Sequence, residues 1–521
     1  MSAIRHPICI MIATLSASLP LAAGSPPVFS PDLNSLSQYE CPEWFRDAKF
    51  GIWAHWGPQC EPESGDWYAR NMYLPDKPHY GEHIERYGHP SQVGFKEIIR
   101  DWKAEKFDPD TLVEFYRKSG ASYFVAMANH HDNFDLWKST HQPWNAAEIG
   151  PKRDLIAGWA SAAKKAGLRF GVSVHAARTW RWWEVTRNAD KEGAFAGVRY
   201  DGRLTKADGA GQWWEGLDPQ DLYDQRHEIG GPPGQAYVDR FFRRVDQLVT
   251  DYTPDLLYFD DAVLPLYKEA PSEALAMAAD FYNSNTRRHG RNEAVLATKA
   301  LKTEQERKAF LYDIERGKAS EILPQPWQTD TCIGQWHYSR GVYDRNEYKS
   351  AETVIAMLID IVSKNGNLLL SIPLRRDGQP DEKEMAIVGG IGAWLDRYGE
   401  AIYGTRPWKT FGEGPAMQVR EAGKFGGDKD AFSGKWTAAD IRFTQSKDGQ
   451  TLFAIVMARP EDGKVTVKSL AENAEAWPGK IGSVSLVGGG KLEFERDALG
   501  LHVKLPEQPA GGNAFALRIL P

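Results

Sequence analysis

Cysteine is scarce in this sequence, with four residues among 521, and no CxxC pair occurs. Cys9 lies in an N-terminal segment that we expect to be removed, which leaves Cys41, Cys60 and Cys332. The scarcity argues against metal clusters held by thiolates and allows at most one disulfide within the chain. Cys41 and Cys60 are the pair closest in sequence.

An excess of positive charge is also absent, because 63 Lys and Arg residues stand against 70 Asp and Glu residues, for a formal net charge of −7. This balance argues against nucleic acid, or an anionic membrane, as a partner held by bulk electrostatics. Beyond the N-terminus, no run approaches the ~18 apolar residues of a membrane-spanning helix, so we expect a soluble mature chain. A content of 42% hydrophobic and 26% charged residues excludes the disordered, collagen-like and coiled-coil classes.

The N-terminus has the pattern of a secretory signal peptide. Arg5 and His6 form a short basic start, an apolar run follows over 8–21, and small residues occupy 22–24. We therefore predict that residues 1–23 are a cleaved signal and that the protein is exported, to a periplasm or to the medium. The alternative is an uncleaved N-terminal anchor, which a run so short and so interrupted does not favour.

Helices that lead directly into apolar strands recur through the middle of the chain. The predicted helix–strand pairs are a helix from 108 with a strand over 121–128, a helix over 154–166 with a strand over 168–174, a helix from 238 with a strand over 256–259, and a helix over 353–363 with a strand over 367–372. Such strands are parallel and buried on both faces. We therefore interpret residues 24–408 as a (β/α)8-like barrel of the TIM type, whose active site lies at the carboxyl ends of the strands.

After Trp408 the pattern changes to short strands separated by Gly, Asp and Asn turns, with no helix signal between them. The predicted strands cover 441–443, 452–457, 464–467, 483–487, 492–494, 501–505 and 515–520. This pattern indicates an all-β domain. We interpret residues 409–521 as a C-terminal β-sandwich.

Polar side chains follow the apolar strands at the points where they end. These positions are His55, the stretch 129–132 (NHHD), His175, the pair Asp260-Asp261 and the stretch 313–315 (DIE). A single such residue is most often structural, but five cases in one chain indicate a cleft at one end of a barrel. The 19 Trp residues are in keeping with a sugar-binding site, although a large core also uses tryptophan.

Two chemistries fit this set of residues. In glycoside hydrolysis, one carboxylate attacks the anomeric carbon and another protonates the leaving oxygen. In the alternative, His55, His130, His131 and Asp260 bind a divalent metal. No HxH or HExxH motif is present, and adjacent His130 and His131 on a strand would face opposite ways. We therefore favour glycoside hydrolysis, with no metal or other cofactor.

Seven stretches of the chain have a recognisable family pattern. They are WFRDAKFGIWAHWG (44–57), GDWYARNMY (65–73), YFVAMANHHDNFDLW (123–137), DLLYFD (255–260), PWQTDTCIGQWHY (326–338), NGNLLLSIPLRRDG (365–378) and WLDRYGEAIYGTRPW (394–408). In this order they resemble glycoside hydrolase family 29, the retaining α-L-fucosidases. The resemblance implies a catalytic barrel followed by a β-sandwich. It also implies a fucosylated oligosaccharide or glycoconjugate as the substrate, and it leaves an oligomeric state open.

The resemblance further implies a catalytic pair. Asp260 closes the LLYFD strand, where the family has its nucleophile, and Glu315 matches the general acid/base, with Glu321 as the alternative. Strand alternation puts Asp260 on the face of Tyr258 and turns Asp261 away. A like charge beside the nucleophile would raise its pKa unless that charge is paired.

The candidate substrate-binding residues are His55, Asp66, Trp67, His130, His131, His175 and Trp336. His55, His130 and His131 match histidines that hydrogen-bond the fucose hydroxyls in the family. This role suits imidazole because the ring can donate one hydrogen bond and accept another. Trp336 is a candidate apolar wall against the C5 methyl group of fucose, which gains from burial by less than ~1 kcal/mol per carbon.

Together these features predict an exported exo-α-L-fucosidase that works with retention through a covalent fucosyl-enzyme on Asp260. Retention predicts that the carboxyl groups of Asp260 and Glu315 lie ~5 to 5.5 Å apart. Two alternatives stay open: an α-L-galactosidase of the same family, whose sugar differs only at C6, and a non-catalytic fucose-binding relative. Asn133, Asp261 and the long 180–236 segment depart from the family pattern and bear on specificity.

Overall fold

The structure is a computed structural model that describes residues 28–261, 263, 267, 270–417, 436–507 and 514–521. The predicted signal peptide and Cys9 lie outside the described residues. Eight parallel strands close into a barrel in chain order, and the first also pairs with the eighth. The strands are β1 Phe50–Ala54, β2 Tyr123–Asn129, β3 Arg169–Val174, β4 Leu256–Phe259, β5 Val295–Thr298, β6 Leu311–Asp313, β7 Trp327–Cys332 and β8 Gly366–Ser371. The predicted barrel is confirmed.

Helices occupy the connections between the barrel strands. The helices of the described residues are α1 Leu33–Leu36, α2 Glu43–Ala48, α3 Tyr68–Asn71, α4 Pro78–Arg86, α5 Phe95–Asp101, α6 Pro109–Lys118, α7 Leu155–Ala166, α8 Thr179–Trp182, α9 Pro219–Tyr223, α10 Gln235–Tyr252, α11 Pro271–His289, α12 Glu304–Ala309, α13 Arg340–Arg345, α14 Ala351–Ser363 and α15 Glu382–Tyr398. The long connections after β1 and β3 hold short helices, α3 to α5 and α8 to α9, at the carboxyl end of the barrel.

Local signals set the ends of the barrel helices. The side chain of Asp108 accepts a hydrogen bond from a backbone N–H of the first turn of α6, where Pro109 is the first helical residue. Asp154 caps α7 in the same way, and Gly167 ends that helix in the left-handed region with a φ of 73°. A carboxylate cap accepts hydrogen bonds from the first backbone N–H groups of a helix, and a terminal glycine adopts the left-handed conformation that ends one. The predicted starts of α6 and α7 therefore rest on chemistry within a few residues.

Alternate side chains of the strands fill the interior of the barrel. They include Trp53, Tyr123, Val125, Leu256, Tyr258, Val295, Ala297, Leu311 and Leu369. The other side chains pack outward against the helices, which explains why the strand sequences are continuously apolar. Gly51 pairs with Tyr123 across β1 and β2, and a Cβ at Gly51 would meet atoms of the Tyr123 ring at 2.3 to 2.6 Å. The tyrosine ring thus takes the space of a side chain at position 51.

The C-terminal strands form two antiparallel sheets, so the predicted β-sandwich fold class is confirmed. They are β9 Arg406–Glu413, β10 Ile441–Gln445, β11 Leu452–Val456, β12 Lys464–Val467, β13 Ser483–Leu486, β14 Phe494–Asp497, β15 Gly500–Lys504 and β16 Phe515–Leu520. One sheet has the order β13-β16-β11-β10-β9 and the other β12-β15-β14. Strand β9 crosses the predicted domain boundary at 408. The strand predicted over 492–494 begins only at Phe494, because the backbone N–H of Leu492 donates to Val484 of the other sheet.

A buried ion cluster joins the barrel to the C-terminal domain. The carboxylate of Asp360, on α14, accepts hydrogen bonds of 2.7 Å from Arg442 Nε on β10 and of 2.7 Å from Lys364 Nζ. All three side chains are almost fully buried. Burial alone would raise the pKa of Asp360, but the two cations hold that pKa at about 2. Loss of either partner of such a pair leaves an uncompensated buried charge.

No disulfide joins any two of the three cysteines of the described residues, Cys41, Cys60 and Cys332, so the one disulfide that the sequence allows is not formed between them. Burial raises the pKa of Cys41 and of Cys60 to about 12, which keeps both thiols uncharged. Among the helices of the described ranges, none has the length and apolar character that crossing a membrane requires.

The contact between Gly51 and Tyr123 generates a stability prediction. Gly51→Ala is expected to lower the free energy of unfolding by about 1–3 kcal/mol, because the added methyl group overpacks the barrel. Gly389→Ala is the matched control, since a Cβ at this exposed position in α15 meets nothing within 4 Å. That change is expected to raise the free energy of unfolding by about 0.5–1 kcal/mol through helix propensity.

Denaturation in urea, followed by circular dichroism, measures both variants against the wild type. An equal gain in stability for Gly51→Ala would contradict the proposed steric limit on β1.

Candidate active site

A cavity of about 640 Å³ opens at the carboxyl end of the barrel. Eight of the nine sequence-predicted site residues line it: His55, Asp66, Trp67, His130, His131, Asp260, Glu315 and Trp336. The ninth, His175, has a fully buried side chain whose Nδ1 lies 3.6 Å from Asp260 Oδ2. Because His175 is absent from the cavity lining, its place is behind Asp260 and not beside a bound ligand. The alternative acid, Glu321, is exposed and does not line the cavity.

Buried histidines form the floor of the cavity. The His55 ring lies 5.1 Å from that of His130, centroid to centroid, and both side chains are almost fully buried. Burial, with the neighbouring imidazoles, lowers the pKa of both rings well below the usual value, so both are neutral. Among the residues that the structure describes, neither ring nitrogen of His55 has a hydrogen-bond partner. A buried polar group without a partner is costly, so these nitrogens are poised for a polar ligand.

Two predicted orientations are wrong. His130 and His131 both line the cavity, with ring centroids 4.6 Å apart, because β2 ends at Asn129 and strand alternation stops there. Asp261 likewise lines the cavity instead of facing away from it, because β4 ends at Phe259. The Asp261 Oδ2 atom lies 3.8 Å from His131 Nδ1. Alternation of side chains holds only within a strand, and these pairs follow one.

A single ammonium group lies between the two candidate catalytic carboxylates. Lys299 Nζ is 2.5 Å from Asp260 Oδ1 and 2.5 Å from Glu315 Oε2. These two oxygens are therefore separated by at most twice that distance. Lys299 follows β5 directly, whereas Asp260 follows β4 and Glu315 lies just beyond β6. Three neighbouring strands thus deliver the three groups to one point.

The two carboxyl groups differ in their affinity for a proton. Burial acts to raise the pKa of Asp260, but the charge of Lys299, together with the neighbouring His175 and His131 side chains, outweighs burial and holds this pKa below its usual range. Burial also raises the pKa of Glu315, to about 7, against the opposing charge of Lys299. Asp330 and Asp260 contribute to this rise as negative neighbours. Near neutral pH, Asp260 is therefore ionised and Glu315 is divided between its two forms.

Further acidic groups lie beneath this pair. The Tyr258 hydroxyl donates to Asp330 Oδ2 at 2.9 Å and contacts Asp313 Oδ2 at 3.1 Å. Burial raises the pKa of Asp313 to about 6 and raises that of Asp330 well above its usual value. These neighbouring carboxylates, together with Asp260, raise the pKa of Lys299 against the effect of burial and keep it charged.

Aromatic and acidic residues form the walls. Asp66 Oδ1 lies 2.7 Å from His337 Nδ1, which fixes the carboxylate at the edge of the histidine floor. Trp336 packs its ring 5.5 Å from that of Trp53, centroid to centroid, at the base of the cavity. Trp67 has a φ of 64° and a side chain that is 39% exposed, so it stands at the rim.

Several lining residues were missed from the sequence. They are Lys299, Arg70, Arg178, Arg181, Trp182 and Glu184. Lys299 directly follows the apolar strand β5, which is the same signal that identified Asp260. The residues from 178 to 184 belong to α8 and the turns beside it, within a long connection that has no periodic pattern. Only the tertiary structure brings that segment to the cavity.

Asn133, a departure from the family pattern, has a structural place. Its backbone φ is 67°, a region that asparagine tolerates better than most residues. Its side chain donates to the carbonyl oxygens of Asp221 and Leu222 at 3.2 and 2.9 Å and accepts a hydrogen bond of 2.6 Å from Arg244. Asn133 therefore anchors the long segment after β3 and does not line the cavity.

Two groups of side chains have the spacing of metal ligands. Ligand atoms of His55, Asp66, His130 and His337 lie within 4.8 Å of one another, as do those of His130, His131 and His175. Neutral imidazoles with a carboxylate are a donor set that suits zinc. The part of the sequence argument against a metal that rests on opposite orientations of His130 and His131 is therefore wrong. The same ring nitrogens suit sugar hydroxyl groups as well as a metal ion, and removal of metal distinguishes these two roles.

A closed parallel barrel with two carboxylates close together among histidines and tryptophans has the features of a glycoside hydrolase. The family described as "Alpha-L-fucosidase" matches residues 19–400, and that described as "Alpha-L-fucosidase C-terminal domain" matches residues 435–519. The chain belongs to the α-L-fucosidase family and is a glycoside hydrolase. The family resemblance and the enzyme class predicted from the sequence are both confirmed.

Individual relatives agree with this assignment. Tissue α-L-fucosidase of Bos taurus is 26% identical over 408 residues, which cover 74% of each chain. Tissue α-L-fucosidase of Homo sapiens is 23% identical over 523 residues, which cover 96% of this chain and 93% of the human one. A solved Thermotoga maritima α-fucosidase in complex with fucose has a TM-score of 0.69 at 24% identity, over 94% of this chain and 100% of that one. This structural likeness shows the fold.

The metal-like spacing generates a prediction. Dialysis against EDTA is expected to leave kcat/KM for 4-nitrophenyl α-L-fucoside unchanged, because two carboxylates suffice for glycoside hydrolysis. A loss of activity on dialysis that added Zn²⁺ reverses would instead assign the histidine cluster to a metal. Metal analysis of the dialysed protein provides the control.

Proposed function

We propose that the protein is a retaining exo-α-L-fucosidase that releases terminal α-L-fucosyl residues from oligosaccharides or glycoconjugates through a covalent fucosyl-enzyme. The main supporting observation is that Asp260 and Glu315 share the ammonium of Lys299. Their nearest oxygens are thereby held at no more than twice 2.5 Å. Retaining enzymes place the two carboxyl groups ~5 to 5.5 Å apart, whereas inverting enzymes leave ~6.5 to 9.5 Å for a water molecule.

In the first step, an ionised oxygen of Asp260 attacks the anomeric carbon while protonated Glu315 donates its proton to the departing oxygen. The leaving group departs as a neutral alcohol, and fucose remains bound to Asp260 as an ester. In the second step, Glu315, now ionised, removes a proton from water, which attacks the same carbon and frees Asp260. The low pKa of Asp260 and the raised pKa of Glu315 suit these roles.

The floor and walls of the cavity suit a small deoxy sugar. Neutral His55 and His130, together with His131, offer donors and acceptors to a fixed arrangement of hydroxyl groups. Trp336 and Trp53 offer an apolar surface for the methyl group at C5. Fucose, the sugar in the related Thermotoga complex, carries both features, so we take it as the ligand of this cavity.

Export of the mature protein is part of the same proposal. The basic start, apolar run and small residues of positions 1–24 support a cleaved signal. N-terminal sequencing of the protein recovered from a periplasmic extract or from the medium tests it. Recovery of an intact Met1 with the membrane fraction would favour the anchor.

Substitution of the two carboxylates provides the central test. Asp260→Asn is expected to lower kcat/KM for 4-nitrophenyl α-L-fucoside by at least about 1,000-fold, because no covalent intermediate can form. Glu315→Gln is expected to lose less than about 100-fold on this substrate, since an activated aryl group needs little protonation. The same Glu315 variant should lose far more on a natural disaccharide.

Asp261→Asn is the matched control for Asp260, because it removes the same charge one residue away in the same cavity. A greater loss for Asp261→Asn than for Asp260→Asn would overturn the assignment of the nucleophile. A wild-type enzyme that is inactive on the fucoside but active on the α-L-galactoside would change the proposed substrate to an α-L-galactoside.

Proton NMR of the first product tests retention, which predicts that α-fucose appears before mutarotation.

The pKa values generate a pH prediction. Activity needs protonated Glu315, so kcat/KM is expected to be highest below its pKa of about 7 and to fall as pH rises through that value. Asp260 stays ionised on the acid side because its pKa lies below the usual range. Lys299→Met removes the cation that lowers the pKa of Glu315, so this pKa should rise. The fall of kcat/KM on the alkaline side of the pH profile should then move to higher pH.

Lys299→Arg retains the charge and should keep an alkaline limb near that of the wild type. An unchanged pH profile in Lys299→Met would contradict the electrostatic role of Lys299.

A further inference from the structure

We propose that the mouth of the cavity binds an anionic group, a sulfate ester or a carboxylate, on the sugar to which fucose is attached. This inference rests on the proposed function, because it assigns the leaving-group side of the same site. It concerns Arg70, Arg178 and Arg181, which we call the mouth arginines. All three line the cavity.

The mouth arginines come from two connections at the carboxyl end of the barrel. Arg70 lies on α3, after β1, whereas Arg178 and Arg181 lie at the start of α8 and within it, after β3. Arg181 is exposed, and the other two are partly buried. The buried histidines of the floor, His55 and His130, follow the ends of β1 and β2, whereas the mouth arginines lie on the connections beyond these strands, with Arg181 exposed to solvent. We therefore place the mouth arginines on the outer side of the cavity.

The guanidinium groups are not committed to carboxylates of the protein. Within the described part of the chain, none of the mouth arginines forms an ion pair with an acidic side chain. Arg70 Nε donates to the backbone carbonyl oxygen of Trp182, a neutral acceptor, at 3.2 Å. The Nε atom of Arg178 is buried and has no hydrogen-bond partner among the described residues. A buried donor without an acceptor indicates a missing polar partner.

Of the five acidic residues that line the cavity, Glu184 and Asp261 act on the mouth arginines, and each has other contacts. Glu184 Oε1 accepts a hydrogen bond of 2.6 Å from the backbone N–H of Gly230 and lies 3.2 Å from His227 Nε2. Asp261 Oδ2 lies 3.8 Å from His131 Nδ1. Each also acts at longer range on one mouth arginine. Burial lowers the pKa of Arg70 and Glu184 opposes that shift, whereas burial raises the pKa of Asp261 and Arg178 opposes it. The mouth arginines have no direct carboxylate partner among these lining residues, so their charges stay available to an anionic ligand.

The charges divide the cavity into two zones. The inner zone contains four carboxylates, those of Asp66, Asp260, Asp261 and Glu315, against the one ammonium of Lys299, so an anionic substituent on fucose itself would be repelled. The mouth arginines present planar N–H groups, which match the oxygens of a carboxylate or sulfate in pairs. The formal net charge of −7 gives no general attraction for anionic glycans. Selectivity for an anion must therefore come from this local group.

Aromatic rings border the same zone. The guanidinium of Arg70 lies 6.0 Å from the centroid of the Trp67 ring, and that ring lies 6.0 Å from the ring of Trp182. Trp67 and Trp182 line the same cavity as Arg181, so a second sugar bound there would lie against these rings. The geometry therefore offers apolar contact for the ring of the second sugar and N–H donors for its anionic substituent.

The test compares three disaccharides that differ only in the second sugar: fucosyl-galactose, its 6-sulfate, and the galacturonic acid counterpart, each in the linkage that the enzyme cleaves best. Wild type is expected to cleave at least one anionic disaccharide with a kcat/KM about tenfold or more above the neutral one, and the ratio should fall as salt screens the charges. Preference for the sulfate or for the carboxylate identifies the source of the anion.

Arg178→Gln combined with Arg181→Gln is expected to reduce this ratio to about one. The control is Arg345→Gln, because Arg345 is an exposed residue on α13 outside the cavity lining, and it should keep the full ratio. Arg181→Gln alone, at an exposed position, is the fallback if the double variant does not fold, and it should lower the ratio part of the way.

Two outcomes overturn the inference while the proposed function stands: a wild type that cleaves neutral and anionic disaccharides equally, and a double variant that keeps the preference. A wild type that is inert on every fucoside, including the 4-nitrophenyl compound, overturns the proposed function, and the inference with it.

Discussion

Closure of the eight strands is the constraint on which the site depends. The ring of Tyr123 occupies the space beside Gly51, and this close fit lets β1 lie against both β2 and β8. Register then sets the neighbours in the cavity. Phe259 pairs with Thr298, so Asp260 and Lys299, the residues that follow them, lie side by side. Groups far apart in sequence meet because parallel strands end on one side of the barrel.

One cation among several carboxylates allows opposite protonation states to exist close together. Asp260 receives the field of Lys299 with two imidazoles beside it, whereas Glu315 faces Asp330 and Asp260 as well as the cation. The difference lies in the surroundings and not in the residue type. Buried like charges raise the free energy of the folded state. The burial of apolar side chains throughout the barrel offsets this electrostatic cost.

Much of the architecture follows from short-range signals. The caps of α6 and α7, the apolar strands and the turn-rich C-terminal strands are each encoded within about ten residues, which is why barrel and sandwich were predictable. The predicted orientations of His131 and Asp261 are wrong because side-chain alternation stops where a strand ends, and both residues lie two positions beyond a strand end. Lys299 has the same sequence signal as Asp260, since it directly follows an apolar strand. The approach of Arg178 and Arg181 had none, since it depends on how a long connection folds back, with Asn133 as its anchor.

The cluster of Asp360, Lys364 and Arg442 has a consequence for the independence of the two domains. Arg442 belongs to the C-terminal sheet, yet its charge is balanced by a carboxylate on a barrel helix. A chain cut after the barrel would expose the surface that β10 covers and leave Asp360 with one of its two cations. We therefore expect the barrel to be less stable when it is expressed without the C-terminal sheet. Recombination of barrels and sandwiches from different relatives would have to transfer this trio as a unit.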